Sequence, residues 1–270
     1  MSRSMSSRLG VNYGSGGGGS DPLLLDIYTG AIAAFSMRKL RNEYGGYCLR
    51  ARRSLDNDEL DIPLVADELD TATLLTFCGG GNGFVTKWYD QSGNANDLSE
   101  STALVQPQIV ATGAVITQTS KPALQVSAQG FGTSTGIHGQ SRVDLFYVAN
   151  LTGKSVVMYQ APASANYGFV AEQSSSMTPS TSNFGSPALY ANNALATSTT
   201  WGDVYTATNG NKIVSYQAGS TSVWTAVDFL SYGSGYDSTG KMQELIIFAS
   251  DQSANRSSIT TAINSYWGVY

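Results

Sequence analysis

The feature that most constrains this chain is the brevity of its apolar stretches. They are short, they recur between turn signals, and none approaches the ~20 residues that cross a bilayer. Segments 47–52, 83–89, 108–110, 143–148, 155–159, 167–171, 212–217, 222–230 and 242–248 read as strands. In Phe84-Val85-Thr86-Lys87-Trp88-Tyr89 successive side chains would face opposite sides of a sheet. Val143-Asp144-Leu145-Phe146-Tyr147-Val148 is largely apolar, as a strand covered on both faces requires. Asn209-Gly210-Asn211 favours a tight hairpin. Helical spacing is confined to 70–77, where Asp70 is an N-cap, and to the C-terminus. There Ser257 or Ser258 would cap a helix carrying Ile259, Ile263 and Tyr266 or Trp267 on one face. Segment 34–44 mixes strand and helix signals.

With 270 residues the chain can bury a large core, and all-β sandwiches of this size often form one domain. Charged residues are only 13%, and 15 Lys plus Arg stand against 20 acids for a net charge of −5. No basic stripe follows Arg53, which argues against nucleic acid as a partner. Membrane insertion is not expected either, and residues 1–22 lack the apolar region of a secretory leader. They read instead as a polar arm ending in the linker composition GSGGGGS, ahead of a domain at 23–270. Arg3, Arg8, Leu9 and Tyr13 are the arm's anchoring candidates.

Two cysteines, Cys48 and Cys78, and one histidine, His138, are too few for a metal cluster, and no cofactor is expected. The cysteines could be bonded or be two small buried thiols. Asp56-Asn57-Asp58-Glu59 is oxygen-rich but lacks the glycine and distal glutamate of an EF-hand. Basic residues gather at Arg38, Lys39, Arg41, Arg50, Arg52 and Arg53, and acids follow at Asp56 to Asp70. A solvated surface with a few ion pairs accounts for both.

The most specific stretch is Trp88-Tyr89-Asp90-Gln91-Ser92-Gly93-Asn94-Ala95-Asn96-Asp97. With Arg52-Arg53-Ser54-Leu55-Asp56-Asn57 and LLTFCGGGNGFV over 74–85, it resembles the family 54 α-L-arabinofuranosidases. The segment GKMQELIIF at 240–248, followed by the helix ending Tyr266-Trp267, resembles the closing strand and helix of laminin-G-like and concanavalin-like domains. The similarity covers 26–110 well and 225–270 loosely, and leaves 111–224 unplaced. It implies an all-β concanavalin A-like jelly-roll: a sandwich of two antiparallel sheets with a short C-terminal helix and an extended N-terminal arm. The openings at 26–31 and 36–41 are also similar to those of bacteriophage tail-fibre, spike and head-decoration proteins.

Retaining glycosidases need two carboxylates about 5–5.5 Å apart. The resemblance implies that both lie in the C-terminal part of the catalytic domain. Here 173–200 holds no acid, and Asp203, Asp228, Asp237, Glu244 and Asp251 are sparse. Glu244 in the closing strand reads as structural, and Asp237 falls near the family's acid/base loop. The family's vicinal cysteine pair is absent. No catalytic residue is assigned on this basis. The expectation is a virion protein, tail fibre, spike or capsid decoration. Its arm would join other virion proteins, and its sandwich would bind a host surface glycan or stabilise the particle, as a homo-oligomer. The alternative is a secreted arabinofuranosidase-like hydrolase, and a third reading is a plain glycan-binding module. Ligand contacts are expected from Asp90, Gln91, Asn94, Trp201, Tyr205, Tyr232, Tyr236 and Asp237, tyrosine and tryptophan offering rigid faces to sugars. The signature also has a structural reading: Asp90 ends a strand, and Asn94 and Asn96 form Asx turns.

Overall fold

The computed structural model describes residues 21–132, 136–153, 155–160, 168–171, 187–196, 199–230 and 238–270. Arg3, Arg8, Leu9 and Tyr13 of the arm, and Tyr232, Tyr236 and Asp237, lie outside them. The longer elements, in chain order, are α1 (Leu24–Ile27), β1 (Ala31–Ser36), β2 (Tyr47–Arg53), β3 (Glu59–Val65), α2 (Thr71–Cys78), β4 (Gly83–Trp88), β5 (Gln108–Ala111), β6 (Leu124–Ser127) and β7 (Val143–Thr152). There follow β8 (Ser155–Gln160), β9 (Gly168–Ala171), β10 (Ala188–Ala191), β11 (Ala194–Ala196), α3 (Trp201–Thr208), β12 (Gly210–Gly219), β13 (Val227–Phe229), β14 (Thr239–Phe248) and α4 (Arg256–Trp267).

The fold is mostly β, with one large antiparallel sheet in the order β11-β10-β12-β7-β14-β6-β5-β4-β2-β3 and a three-stranded sheet β9-β8-β13. The hydrogen-bonded path is continuous because β14 divides one of its edges. Its first residues pair with β6, as at Leu124–Met242, and its last with β1, as at Ala34–Ile246. Its other edge pairs with β7 along most of its length. The sandwich arises where β1 lies across β4, a strand it does not hydrogen-bond: Phe35 packs against Trp88 with ring centroids 5.7 Å apart. Both rings are fully buried, and burial of such a side chain contributes about 1.5–3 kcal/mol.

β7 and β14 are buried nearly end to end, which is why their sequences do not alternate. Two buried acids pin this centre. Glu244 on β14 accepts from Ser36 Oγ at 2.7 Å, from Arg38 Nε and Nη2 at 2.8 and 3.0 Å, and from Trp267 Nε1 at 3.0 Å. It thereby joins β1, β14 and α4. Asp144 on β7 accepts from Arg142, from the Ala218 N–H at 2.7 Å and from the Gln252 N–H at 2.7 Å.

Several expectations are refined. Segment 34–44 supplies the end of a strand and then irregular chain. The C-terminal helix starts after Asn255 rather than after Ser257 or Ser258. α3 was not anticipated, and only residues 227–229 of 222–230 form a strand. The cysteines are free and buried. Burial pushes the Cys48 thiol well above its ordinary range. The oxygen-rich run is claimed by arginine: Arg53 pairs with Asp56 and Asp58 at 2.6 and 2.9 Å, and Arg50 with Asp61 at 2.7 Å. Among the described residues no group of three or more metal-ligating side chains is assembled.

Candidate functional site

The signature after β4 forms a strap that ties β4 to β1. Asp90 is 4% exposed. Its Oδ1 accepts the N–H groups of Ala34 and Ser92, both at 2.8 Å. Its Oδ2 accepts the Ser92 hydroxyl at 2.7 Å and the Asn96 N–H at 3.0 Å. Gln91 is fully buried, accepts the Leu40 N–H at 2.8 Å and donates to the carbonyls of Ser36 and Arg38. Asn94 is exposed, yet its amide donates to the Ala31 carbonyl at 3.0 Å. Gly93 has φ +96°, and a Cβ there would meet Arg41 Nη1 at 2.8 Å. The polar atoms of Asp90 and Gln91, expected to meet a ligand, are turned inward to the protein's own backbone.

Trp201 and Tyr205 sit one turn apart on α3. Trp201 is 3% exposed and packs with Val156 and Tyr159, while Tyr205 packs partly buried against the main core. Trp201 therefore stands under the three-stranded sheet, not at the surface where a sugar platform was expected.

Among the described residues, that small sheet carries one acid, Asp228. Tyr159 on β8 lies opposite Asp228 on β13, and its hydroxyl donates to Asp228 Oδ2 at 2.9 Å. Three separate stretches end on three consecutive residues of β8. Ala171 pairs with Ser155. Ser238 Oγ donates to the Val156 carbonyl at 2.6 Å and accepts the Val156 N–H at 2.9 Å. The Leu230 N–H donates to the Val157 carbonyl at 3.2 Å.

The acids beyond β8 divide by surroundings. Asp203 closes the capping box of α3, and the Thr199 hydroxyl holds its carboxyl below the usual range. Glu244 is the buried anchor described above. Asp251 pairs with Arg142 at 2.7 Å. Asp228 faces Tyr159 on the small sheet. Glu172 and Asp237 lie outside the described residues, but Glu172 follows Ala171 directly and Asp237 directly precedes Ser238. Sequence reasoning weighed Asp228 and Asp237 without linking them and did not consider Glu172. The one available signal was its place immediately before the acid-free run 173–200.

Comparison with known proteins bears on this geometry. The family model described as alpha-L-arabinofuranosidase B, catalytic, matches residues 25–159. Similar solved structures include a glutamate-to-glutamine mutant of a GH54 α-L-arabinofuranosidase soaked with 4-nitrophenyl α-L-arabinofuranoside, at 14% identity and TM-score 0.53. A GH54 α-L-arabinofuranosidase soaked with a cyclic sulfate inhibitor gives 15% and 0.51. An arabinofuranosidase complexed with arabinofuranosyl-α-1,2-xylobiose gives 17% and 0.50. Each alignment covers 86% of this chain, which spans 62% of the length of each of those proteins. No curated protein matches. At these identities the likeness to solved structures speaks for the fold, a β-sandwich. The expectation of a virion structural protein is overturned: the half of the chain bearing the motifs matches an enzyme's catalytic domain. The leaning against catalysis loses its ground with it.

Proposed function

Because the chain belongs to the alpha-L-arabinofuranosidase B catalytic family, we propose that it is a glycoside hydrolase domain releasing α-L-arabinofuranosyl units. The family match over 25–159 carries this reading. Ala171, Leu230 and Ser238 all meet β8, which directs attention to the acids adjoining them in the chain. Once Asp203, Glu244 and Asp251 are set aside by their structural contacts, Glu172, Asp228 and Asp237 are the acids left beyond β8, and each adjoins or belongs to the small sheet.

In this assignment Glu172 is the nucleophile and Asp237 the acid/base. Asp237 protonates the leaving oxygen while Glu172 attacks the anomeric carbon and forms a glycosyl-enzyme. Asp237, now a carboxylate, then takes a proton from the water that releases the sugar. Asp228, held by Tyr159, is given the part of a positioning residue.

Release of 4-nitrophenol from 4-nitrophenyl α-L-arabinofuranoside tests the reading. Wild-type chain should turn over. Glu172→Gln should lower kcat by about a thousandfold or more, in line with loss of a principal catalytic group. Asp237→Asn should lose far less on this activated substrate than on an unactivated arabinoside, because 4-nitrophenolate leaves without a proton. A wild-type chain inert on both substrates refutes the function. Full activity in both variants refutes the assignment of residues.

A further inference from the structure

A half-open groove with a cavity volume of about 440 Å³, lined by no residue of the small sheet, lies between the chain entering β2 and the end of β3. Lys39, Tyr44, Tyr47, Pro63, Leu64 and Asp67 line it. Its size falls within the usual range for small-ligand sites.

The groove holds an aromatic ring that is exposed on one side and packed on another. Tyr47 is 47% exposed. The Tyr44 hydroxyl donates to its carbonyl at 2.7 Å, and Tyr89 packs against its ring at 6.0 Å between centroids. Tyr89 is held in turn by its hydrogen bond to Asp61 at 2.5 Å. Gly46 permits the arrangement, since a Cβ there would meet the Tyr44 hydroxyl at 2.5 Å. A ring ordered before binding loses little entropy when a ligand covers it.

The polar wall has a distinct chemistry. Lys39 Nζ and Asp67 Oδ1 stand 4.0 Å apart, beyond hydrogen-bond distance, while the Lys39 N–H donates to the Asp67 carbonyl at 2.8 Å and fixes the two loops together. One wall thus offers ammonium donors next to carboxylate acceptors, with no net charge. A charged ligand attracted by one would be repelled by the other. A neutral ligand with adjacent hydroxyls can accept from Lys39, donate to Asp67 and lay a C–H face on Tyr47.

We infer that this groove is a second saccharide-binding site, distinct from the hydrolytic one, for a neutral glycan chain. The neutral-glycan chemistry stands on the groove alone. The choice of arabinofuranosyl-substituted polymers as probes rests on the hydrolase reading.

Native electrophoresis through gels containing soluble arabinoxylan or branched arabinan tests it. Wild-type chain should be retarded by at least one polymer. Tyr47→Ala should lose most of that retardation, Tyr47→Trp should keep it, and Lys39→Ala with Asp67→Ala should weaken it severalfold. Urea midpoints of the variants confirm that they fold. Retardation of Tyr47→Ala equal to wild type, or none of the wild type by either polymer, overturns the inference. Release of 4-nitrophenol reads the hydrolase function separately: a chain that binds through Tyr47 without turnover sinks that function and leaves this site standing.

Discussion

Replacing Asp90 by alanine should cost the fold a large share of its stability. The carboxylate serves four donors: the N–H groups of Ala34, Ser92 and Asn96, and the Ser92 hydroxyl. Ser92 is partly exposed and can turn to water, whereas Ala34 is fully buried and Asn96 is 7% exposed. Two buried N–H groups are therefore orphaned. At about 1–3 kcal/mol each they sum to about 4 kcal/mol. Set against a total of roughly 5–15 kcal/mol, that is a quarter or more of the stability. It corresponds to a fall in Tm of about 8–16 °C for a domain of this size. Asp90→Asn keeps one acceptor oxygen and should lose about half as much. Asn94→Ala, at an exposed position, is the control and should lose under ~1 kcal/mol. Urea unfolding followed by tryptophan fluorescence gives all three values, since Trp88 is buried two residues upstream. An Asp90→Ala midpoint no lower than that of Asn94→Ala would refute the claim that this carboxylate holds β1 to β4.

Two further outcomes follow from the charged groups. Glu244→Ala leaves the Arg38 guanidinium, the Ser36 hydroxyl and the Trp267 indole N–H without their shared acceptor, and should destabilise by about 3–5 kcal/mol in the same unfolding assay. A loss below ~1 kcal/mol would mean that β1 and α4 dock without it. Asp61 is held below the usual carboxylate range, first by Arg50 and also by the Tyr89 hydroxyl. A depressed folded value adds stability above the unfolded value near 3.9, and that stability is lost as pH falls further. Wild type should therefore exceed Asp61→Asn in stability at pH 6 by up to ~1 kcal/mol, since Arg50 is 38% exposed. The gap should close by about pH 2, and urea midpoints showing a gap constant with pH would contradict this origin.

The sheet was legible wherever burial itself writes the pattern. The largely apolar run at 143–148 and the alternation at 83–89 correspond to β7 and β4, and Asp70 caps α2 as its position suggested. Segment 34–44 was ambiguous because β1 owes its place to distant partners, Asp90 and β14, and not to local propensity. α3 is short, yet its capping box, Thr200 with Asp203, stood in the sequence and could have revealed it. The return of the chain to β8 was unreadable for a plainer reason. Ser238 reaches Val156 across 82 residues, and spacing along a chain carries no trace of such a contact. Asp90 carried two readings in the sequence, a ligand contact and the end of a strand entering a turn, and its carboxylate here accepts from the protein's own backbone.

The rail formed by Ser155, Val156 and Val157 has a consequence for which substitutions its anchor points tolerate. The family match ends at residue 159, within the strand that carries this rail. The rail's three clips use backbone groups and one serine hydroxyl. Backbone pairing is indifferent to side-chain identity, so of the three anchor points only Ser238 is held through its own side chain. A change of residue at Ala171 would leave the ladder pairing with Ser155 in place, whereas loss of the Ser238 hydroxyl would free one return of the chain from the strand.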